Sequence, residues 1–230
     1  MASFFRDYLA YVGKSESPDI YHRWVSLSIV ASILGRNYSF PHGHSDIYPN
    51  MYVMLQGLPG VRKSTAINIG TKLLKKVGYK KFASNRMSRQ MFLEELHAIN
   101  KPDLDNMTFD EMLDLKDDAP AEISIHASEF LDFIGQGDKD YLMLITSLWD
   151  NLDEYKNPKI TSKSVSVKNP TVNFIGGNTP AGLNLAFPAE TIDAGTLSRF
   201  IFIHAQSNGR KILIPSRPDA KAEVAIIEHL

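Results

Sequence analysis

The chain contains no cysteine among its 230 residues. A disulfide scaffold and a cysteine-ligated zinc site are therefore excluded, and the composition suits a reducing compartment. Net charge is also nearly absent, formally -1 at pH 7. No whole-molecule field draws the protein to nucleic acid or to an anionic membrane, so any such contact must come from a local basic surface. Long apolar runs are missing as well. The longest stretch, Trp24 to Leu34, is broken by Ser26, Ser28 and Ser32 and is too short and too polar to span a bilayer. The start, Met1-Ala2-Ser3-Phe4-Phe5-Arg6-Asp7, carries an early acid and no basic segment leading into an apolar one, so no export signal is read there. No internal repeat or low-complexity segment stands out. These absences leave a soluble, cytoplasmic protein with no membrane partner as the expectation. The remainder, 43% hydrophobic and 22% charged, supports one sizeable core and at most two small domains.

Periodicity divides the chain into alternating elements. Helices are expected over 2–12 and 19–35, the second starting at Ser17-Pro18-Asp19 with Ile20, Trp24, Leu27, Ala31 and Leu34 on one apolar face and Gly35 at its end. A His-, Gly- and Pro-rich loop, Phe40 to Asn50, leads into the apolar run Met51 to Leu55, which is bounded by Pro49 and Gly57 and reads as a buried strand. A glycine-containing turn and a helix from Ser64 to Lys76 follow, closed by Gly78. Further expectations are a short strand near Phe82, a helix from Ser88 to Ile99, and an acidic connection over 100–120 with one capping box, Thr108-x-x-Glu111. Beyond it come a strand at Ile123 and Ile125, a helix from Asp138 to Asn151, half a hairpin from Ile160 to Lys168, and strands at Val172–Ile175 and Phe200–Ile203. Strands alternating with helices indicate an α/β fold with a mainly parallel central sheet covered on both faces. The expected division is a small N-terminal helical appendage over 1–46, a core over 47–210, and over 211–230 the start of a helical lid segment that continues past the sequence.

Gly57-Leu58-Pro59-Gly60-Val61-Arg62-Lys63-Ser64-Thr65 follows the phosphate-loop pattern of Gly, four residues, Gly, Lys, Ser or Thr at all but one position, and it sits between a strand and a helix as that pattern requires. Gly57 and Gly60 permit a tight turn whose N–H groups face inward as an anion nest, and the helix N-terminus adds partial positive charge. Lys63 is the candidate for the β- and γ-phosphates and Ser64 for magnesium. Arg62 stands where the pattern has its second glycine. Its φ must stay in the range open to ordinary residues, or strain must be accepted.

Hydrolysis needs a carboxylate and a group that orients water. Ala121 to Glu129 offers Glu129 at a strand end, with Ser128 where an aspartate is expected; the other reading of Glu129 is a simple helix start, and His126 reads as a packed strand residue. Asn178, before Thr179-Pro180, is either a contact to the γ-phosphate or a turn former. Arg199, in Gly195-Thr196-Leu197-Ser198-Arg199-Phe200, is either an arginine finger or a surface arginine paired with Glu190 or Asp193.

Tyr48-Pro49-Asn50-Met51-Tyr52-Val53, the loop Gly57 to Thr65, Asn169-Pro170, and Gly195-x-Leu197-x-Arg199-Phe200 together resemble a family of phage and mobile-element ATPases similar to AAA+ proteins and superfamily 3 helicases. The resemblance runs from about Ile20 to Ile203. It implies a P-loop NTPase fold, AAA+-like and of the additional-strand catalytic-glutamate type. It also implies ATP and Mg²⁺ as cofactors and a ring, commonly a hexamer, with sites between subunits in the host cytoplasm. By position it implies Gly57, Pro59, Gly60, Val61, Arg62, Lys63, Ser64 and Thr65 for nucleotide, Ser64 and Ser128 for metal, and Glu129, Asn178 and Arg199 for catalysis beside Lys63. Neither Arg210 nor Arg217 fits a second sensor.

In related helicases a hairpin before the sensor strand lines the channel. Here Tyr155 to Lys168 carries four lysines and no acid. Lys156, Lys159 and Lys163 are candidates to neutralise phosphates of single-stranded or duplex DNA; a solvated hairpin protecting an edge strand is the other reading. A second basic stretch, Lys72 to Lys81, fits the exposed side of the phosphate-loop helix. Three functions are therefore expected in competition: a nucleic-acid-dependent ATPase, as a DNA helicase or helicase loader in replication; a slow or non-hydrolysing, nucleotide-gated assembly module; and, behind these, a scaffold in which the loop is vestigial.

Overall fold

The computed structural model describes residues 2–99, 119–135, 138–157, 165–193, 195–214 and 218–230. The capping box at Thr108 and Glu111 and the lysines at 159 and 163 lie outside them. In chain order the elements are α1 (Ala2–Val12), α2 (Asp19–Leu34), β1 (Phe40–His42), β2 (Ser45–Ile47), β3 (Tyr52–Gln56), α3 (Lys63–Lys76), α4 (Arg89–Ala98), β4 (Glu122–Ala127) and α5 (Phe130–Ile134). They continue as α6 (Lys139–Leu148), β5 (Glu154–Asn157), β6 (Val165–Lys168), β7 (Thr171–Asn178), α7 (Pro180–Ala186), α8 (Ala189–Asp193), a 3₁₀ turn (Leu197–Arg199), β8 (Phe200–His204) and α9 (Ala220–Glu228).

Four strands form the central sheet in the order β4-β7-β3-β8, and every pair is parallel. Tyr52 lies opposite both Phe174 and Phe200, and Gln56 lies opposite both Asn178 and His204. All eight residues of β7 are buried, as expected for a parallel strand covered on both faces. Alternation sends Tyr52, Met54 and Phe174 to one core with Phe92, Phe130, Phe133, Tyr141 and Phe200. Val53, Leu55 and Ile175 go to the other, with Tyr21, Val25, Ile29, Ala66 and Ile67.

The α/β sheet is as expected; several local readings are corrected. The two N-terminal helices are not an appendage, because Phe4, Tyr8, Val12, Tyr21, Val25 and Ile29 build one face of the core. The face of α2 that packs is also different. Ile20 is exposed, while Tyr21, His22, Val25, Ser28, Ile29 and Ser32 are buried. Two hydroxyls on this face find partners on the strands: Ser124 Oγ donates to Ser32 Oγ at 2.9 Å, and Tyr21 donates to the Gln56 carbonyl, whereas Ser28 Oγ is buried without a partner among the described residues. A Cβ at Gly70 of α3 would lie 2.5 Å from Val25 Cγ1, so the missing side chain is what lets the two helices approach. The loop after α2 is an exposed hairpin, β1–β2. The strand near Phe82 is reduced to a single bridge with Ser124. Helix α6 is capped by Asp138, which accepts the Tyr141 N–H at 2.9 Å, and it stops at Leu148, short of Asn151.

Because all four strands run the same way, the loops after Gln56, Ala127 and Asn178 emerge at one edge of the sheet. Their neighbours in space are not their neighbours in sequence: β7 is interposed between β3 and β4. Among the described residues no helix is long and apolar enough to cross a membrane.

Candidate functional site

The loop after β3 begins with a glycine that nothing else replaces. A Cβ at Gly57 would lie 2.6 Å from the Tyr21 hydroxyl and 2.8 Å from the Ala205 carbonyl oxygen. Gly60 turns with φ 86°, a region open to glycine at little cost. Val61 is buried and anchors the turn.

Arg62 adopts φ 64° and ψ 32°. The strain is accepted: a left-handed residue that is not glycine costs about 1–2 kcal/mol. Its guanidinium does not close over the loop, because Arg62 Nε pairs with Glu16 Oε2 at 2.6 Å.

Lys63, the first residue of α3, is buried. Its Nζ donates to the carbonyl of Gly57 at 2.8 Å and to that of Leu58 at 3.3 Å. Burial pushes its pKa down, and the negative charge of Glu129 partly opposes this. Ser64 is half-buried and Thr65 exposed, and the first turn of α3 holds no acid. Its positive end is therefore uncompensated by side chains of its own turn and open to an anion.

At the end of β4, Ser128 is half-buried and Glu129 exposed. Glu129 does occupy the position before α5, with extended φ −131° and ψ 118°, but its side chain caps nothing. The carboxylate remains available, and its charge reaches Lys63.

The interposed β7 brings these groups together. A Cβ at Gly177 would lie 2.6 Å from the Ser128 carbonyl oxygen and 3.5 Å from Lys63 Cβ. The next residue, Asn178, is buried. Its Oδ1 accepts the Thr179 N–H at 2.9 Å, which is the turn-forming role, while its backbone carbonyl accepts the Gly57 N–H at 3.4 Å. The amide nitrogen Nδ2 is buried without a hydrogen-bond partner, an arrangement native interiors seldom tolerate without a ligand or water to satisfy it.

Arg199 is not part of this cluster. It lies just before β8, at the edge of the sheet opposite the phosphate loop. Its Nη2 bonds both Asp150 oxygens at 3.2 and 3.0 Å, its Nη1 donates to the Gly195 carbonyl, and the guanidinium lies 5.9 Å from the Trp149 ring centroid. The acid expected to pair with it was Glu190 or Asp193. Glu190 instead pairs with Lys139, and Asp150 is the partner observed.

Lys156 is exposed on β5, and its Nζ meets Glu154 Oε2 at 2.8 Å. Glu154 lies just before the stretch read as free of acids, and it pairs with Lys156 inside the β5–β6 hairpin. His126 is packed, as expected: Nδ1 meets the Thr71 hydroxyl at 2.7 Å, Phe82 stands edge-on, and burial pushes its pKa down to about 4.

Three residues that shape the site were not singled out for it in the sequence: Glu16 and Ser17, in the α1–α2 connection, and Tyr21, on α2, all touch the loop or its flank; Asp150, which holds Arg199 at the opposite edge, was missed as well. For magnesium, the described residues offer no group of three or more His, Asp or Glu. The partly open hydroxyls of Ser64 and Ser128 and the Glu129 carboxylate are hard oxygen donors at the sheet edge, and Mg²⁺ accepts such a sparse protein set when substrate phosphates and water complete its shell.

No protein-family model matches the chain, and no curated protein matches it. Among solved structures, the apo structure of the NrS-1 C-terminal region (residues 305–718) overlaps it with a TM-score of 0.37 and 14% sequence identity, covering 99% of this chain and 42% of that one. The chain thus spans less than half of that protein region, and at that TM-score the likeness bears on neither fold family nor function.

Proposed function

We propose that the chain is a P-loop ATPase that acts with nucleic acid, as a DNA helicase or helicase loader assembled in a ring. The carrying observation is the interposed β7, which sets Lys63, Ser128 and Glu129, and Asn178 along one edge of a parallel sheet. ATP would lie with its phosphates on the N-terminus of α3 and on the loop before it, where the N–H groups of Gly57 and Val61 are already given to the Asn178 and Leu58 carbonyls and Pro59 has none. Lys63 would exchange two neutral carbonyls for phosphate oxygens, a stronger charge-assisted pairing. Magnesium, when bound, would supply charge neutralisation at the phosphates, and Ser64 and Ser128 would hold it. Glu129 would accept the proton of the attacking water, and the unpartnered Asn178 amide would donate to the γ-phosphate or to that water. Arg199 would serve only in a neighbouring copy's site, because its own chain holds it at the far edge.

The described part of the hairpin presents Lys156 and Lys168 on its exposed surface, which supports a nucleic-acid contact through phosphates. The test is ATP turnover with and without single-stranded DNA, beside a mass measurement with nucleotide present. Turnover raised several-fold by DNA, with association of copies, is the expected result; turnover that ignores DNA removes the nucleic-acid part.

One observation favours a second reading. Ser128 offers an uncharged hydroxyl where a metal-holding acid is expected, which suits a site that binds ATP and hydrolyses it slowly to set assembly. Single-turnover hydrolysis with saturating DNA separates the two.

A further inference from the structure

Resting on the nucleotide-site reading, we propose that Glu16 and Ser17 are positioning residues for the phosphate loop: they hold Arg62 in the left-handed conformation that a glycine would adopt unaided, and they turn its guanidinium out of the cradle. Residues in sparsely populated backbone regions persist only where the surroundings over-determine them. Arg62 is fixed from both ends. The Ser17 hydroxyl, fully buried, donates to the Arg62 carbonyl at 2.7 Å, and the Glu16 carboxylate receives its side chain.

The brace is itself braced. Glu16 Oε1 accepts the Ile212 N–H at 2.7 Å, Asn208 Nδ2 donates to the Ser17 carbonyl at 3.2 Å, and Arg210 Nη1 donates to the Gly13 carbonyl. The α1–α2 connection is thus clamped between the phosphate loop and the segment after β8. The Ile212 N–H and the Arg62 guanidinium also hold the Glu16 carboxyl below the usual carboxylate range. The consequence for the loop is electrostatic as well as conformational. A released guanidinium one residue from Lys63 would compete for the inward carbonyls or fill the space meant for phosphates.

A double-mutant comparison reads this directly. The variant Glu16→Gln with Ser17→Ala is made in the wild-type chain and in a chain carrying Arg62→Gly. Binding of a fluorescent non-hydrolysable ATP analogue is titrated in all four proteins, and amide hydrogen exchange over residues 60–63 is followed without nucleotide. In the wild-type background the brace variant should bind about tenfold more weakly, the size of a lost left-handed constraint, and exchange faster at these amides. In the Arg62→Gly background the same two substitutions should change binding and exchange by less than about twofold, since glycine needs no brace. Equal losses in both backgrounds, or none in either, overturn the proposal. If the double variant does not fold, Ser17→Ala alone, which deletes one hydroxyl, repeats the comparison. A wild-type chain that does not bind the analogue sinks the nucleotide reading, while the exchange data still decide whether Glu16 and Ser17 hold Arg62.

Discussion

The Lys63 ammonium lies 2.8 Å from the carbonyl oxygen of Gly57, six residues earlier in the chain. The cation is stored inside the loop it is expected to serve, satisfied by neutral acceptors and poised to trade them for anionic ones. Lys63→Ala should therefore weaken nucleotide binding by at least about tenfold and abolish turnover. Glu129→Gln should behave oppositely at the binding step, retaining affinity while turnover falls about 10²- to 10⁴-fold, the range for losing a general base. Titration of an ATP analogue beside phosphate-release kinetics measures both, and full turnover in the Glu129→Gln protein would reduce that residue to a helix start.

Gly177 sets the spacing between the phosphate loop and the acid-bearing strand end. Its added Cβ would meet backbone, the Ser128 carbonyl, at 2.6 Å, and backbone cannot rotate away as a side chain can. Gly177→Ala should destabilise the fold by about 1–3 kcal/mol and should lower turnover by pushing Ser128 and Glu129 outward. Chemical denaturation gives the first number; unchanged stability would mean that β4 and β7 sit further apart.

Acid should destabilise the protein through two imidazoles. His22 is fully buried with neither ring nitrogen bonded, and burial pushes its pKa down to about 4, as it does that of His126. Both folded values lie below the ordinary value near 6.5, so between these limits the unfolded chain binds protons that the fold refuses. The contribution to stability is complete above about pH 6.5 and falls towards pH 4 by about 1.4 kcal/mol per pH unit for each imidazole. Unfolding free energies at pH 7 and pH 5 should show the loss, and His22→Leu should roughly halve the slope. An unaltered slope in that variant places the proton uptake elsewhere.

Arg199→Ala should leave ATP affinity of the isolated chain near wild type, because Arg199 lies across the sheet from Lys63. Turnover should fall only where copies associate, so the rise of specific activity with protein concentration should disappear in the variant. A direct loss of affinity at high dilution would contradict that placement.

Much of this was legible in the sequence because the signals are local. Met51 to Leu55 is apolar without a break, so it had to be buried on two faces. Gly57, Gly60 and Lys63 sit at spacings that a strand–turn–helix imposes, and the helices expected from Ser88 and from Asp138 begin there, with each side chain accepting a main-chain N–H. The packed face of α2 was misread because apolar periodicity ranks side chains by hydrophobicity. The structure chose the face on which Tyr21 and Ser32 reach partners on the strands and on which Val25 meets Gly70 of α3, whose missing side chain allows the close approach.

The order of the motifs along the chain, a loop, an acid, an asparagine and an arginine, came from the sequence by itself, since each depends on residue type and near neighbours. Their meeting did not. Only the parallel sheet, with β7 slipped between β3 and β4, decided that Asn178 and Glu129 join Lys63 and that Arg199 does not. Only long-range contacts gave the left-handed Arg62 its partners Glu16 and Ser17, because hydrogen bonds between residues 45 or more positions apart are fixed by packing and leave no mark on local pattern.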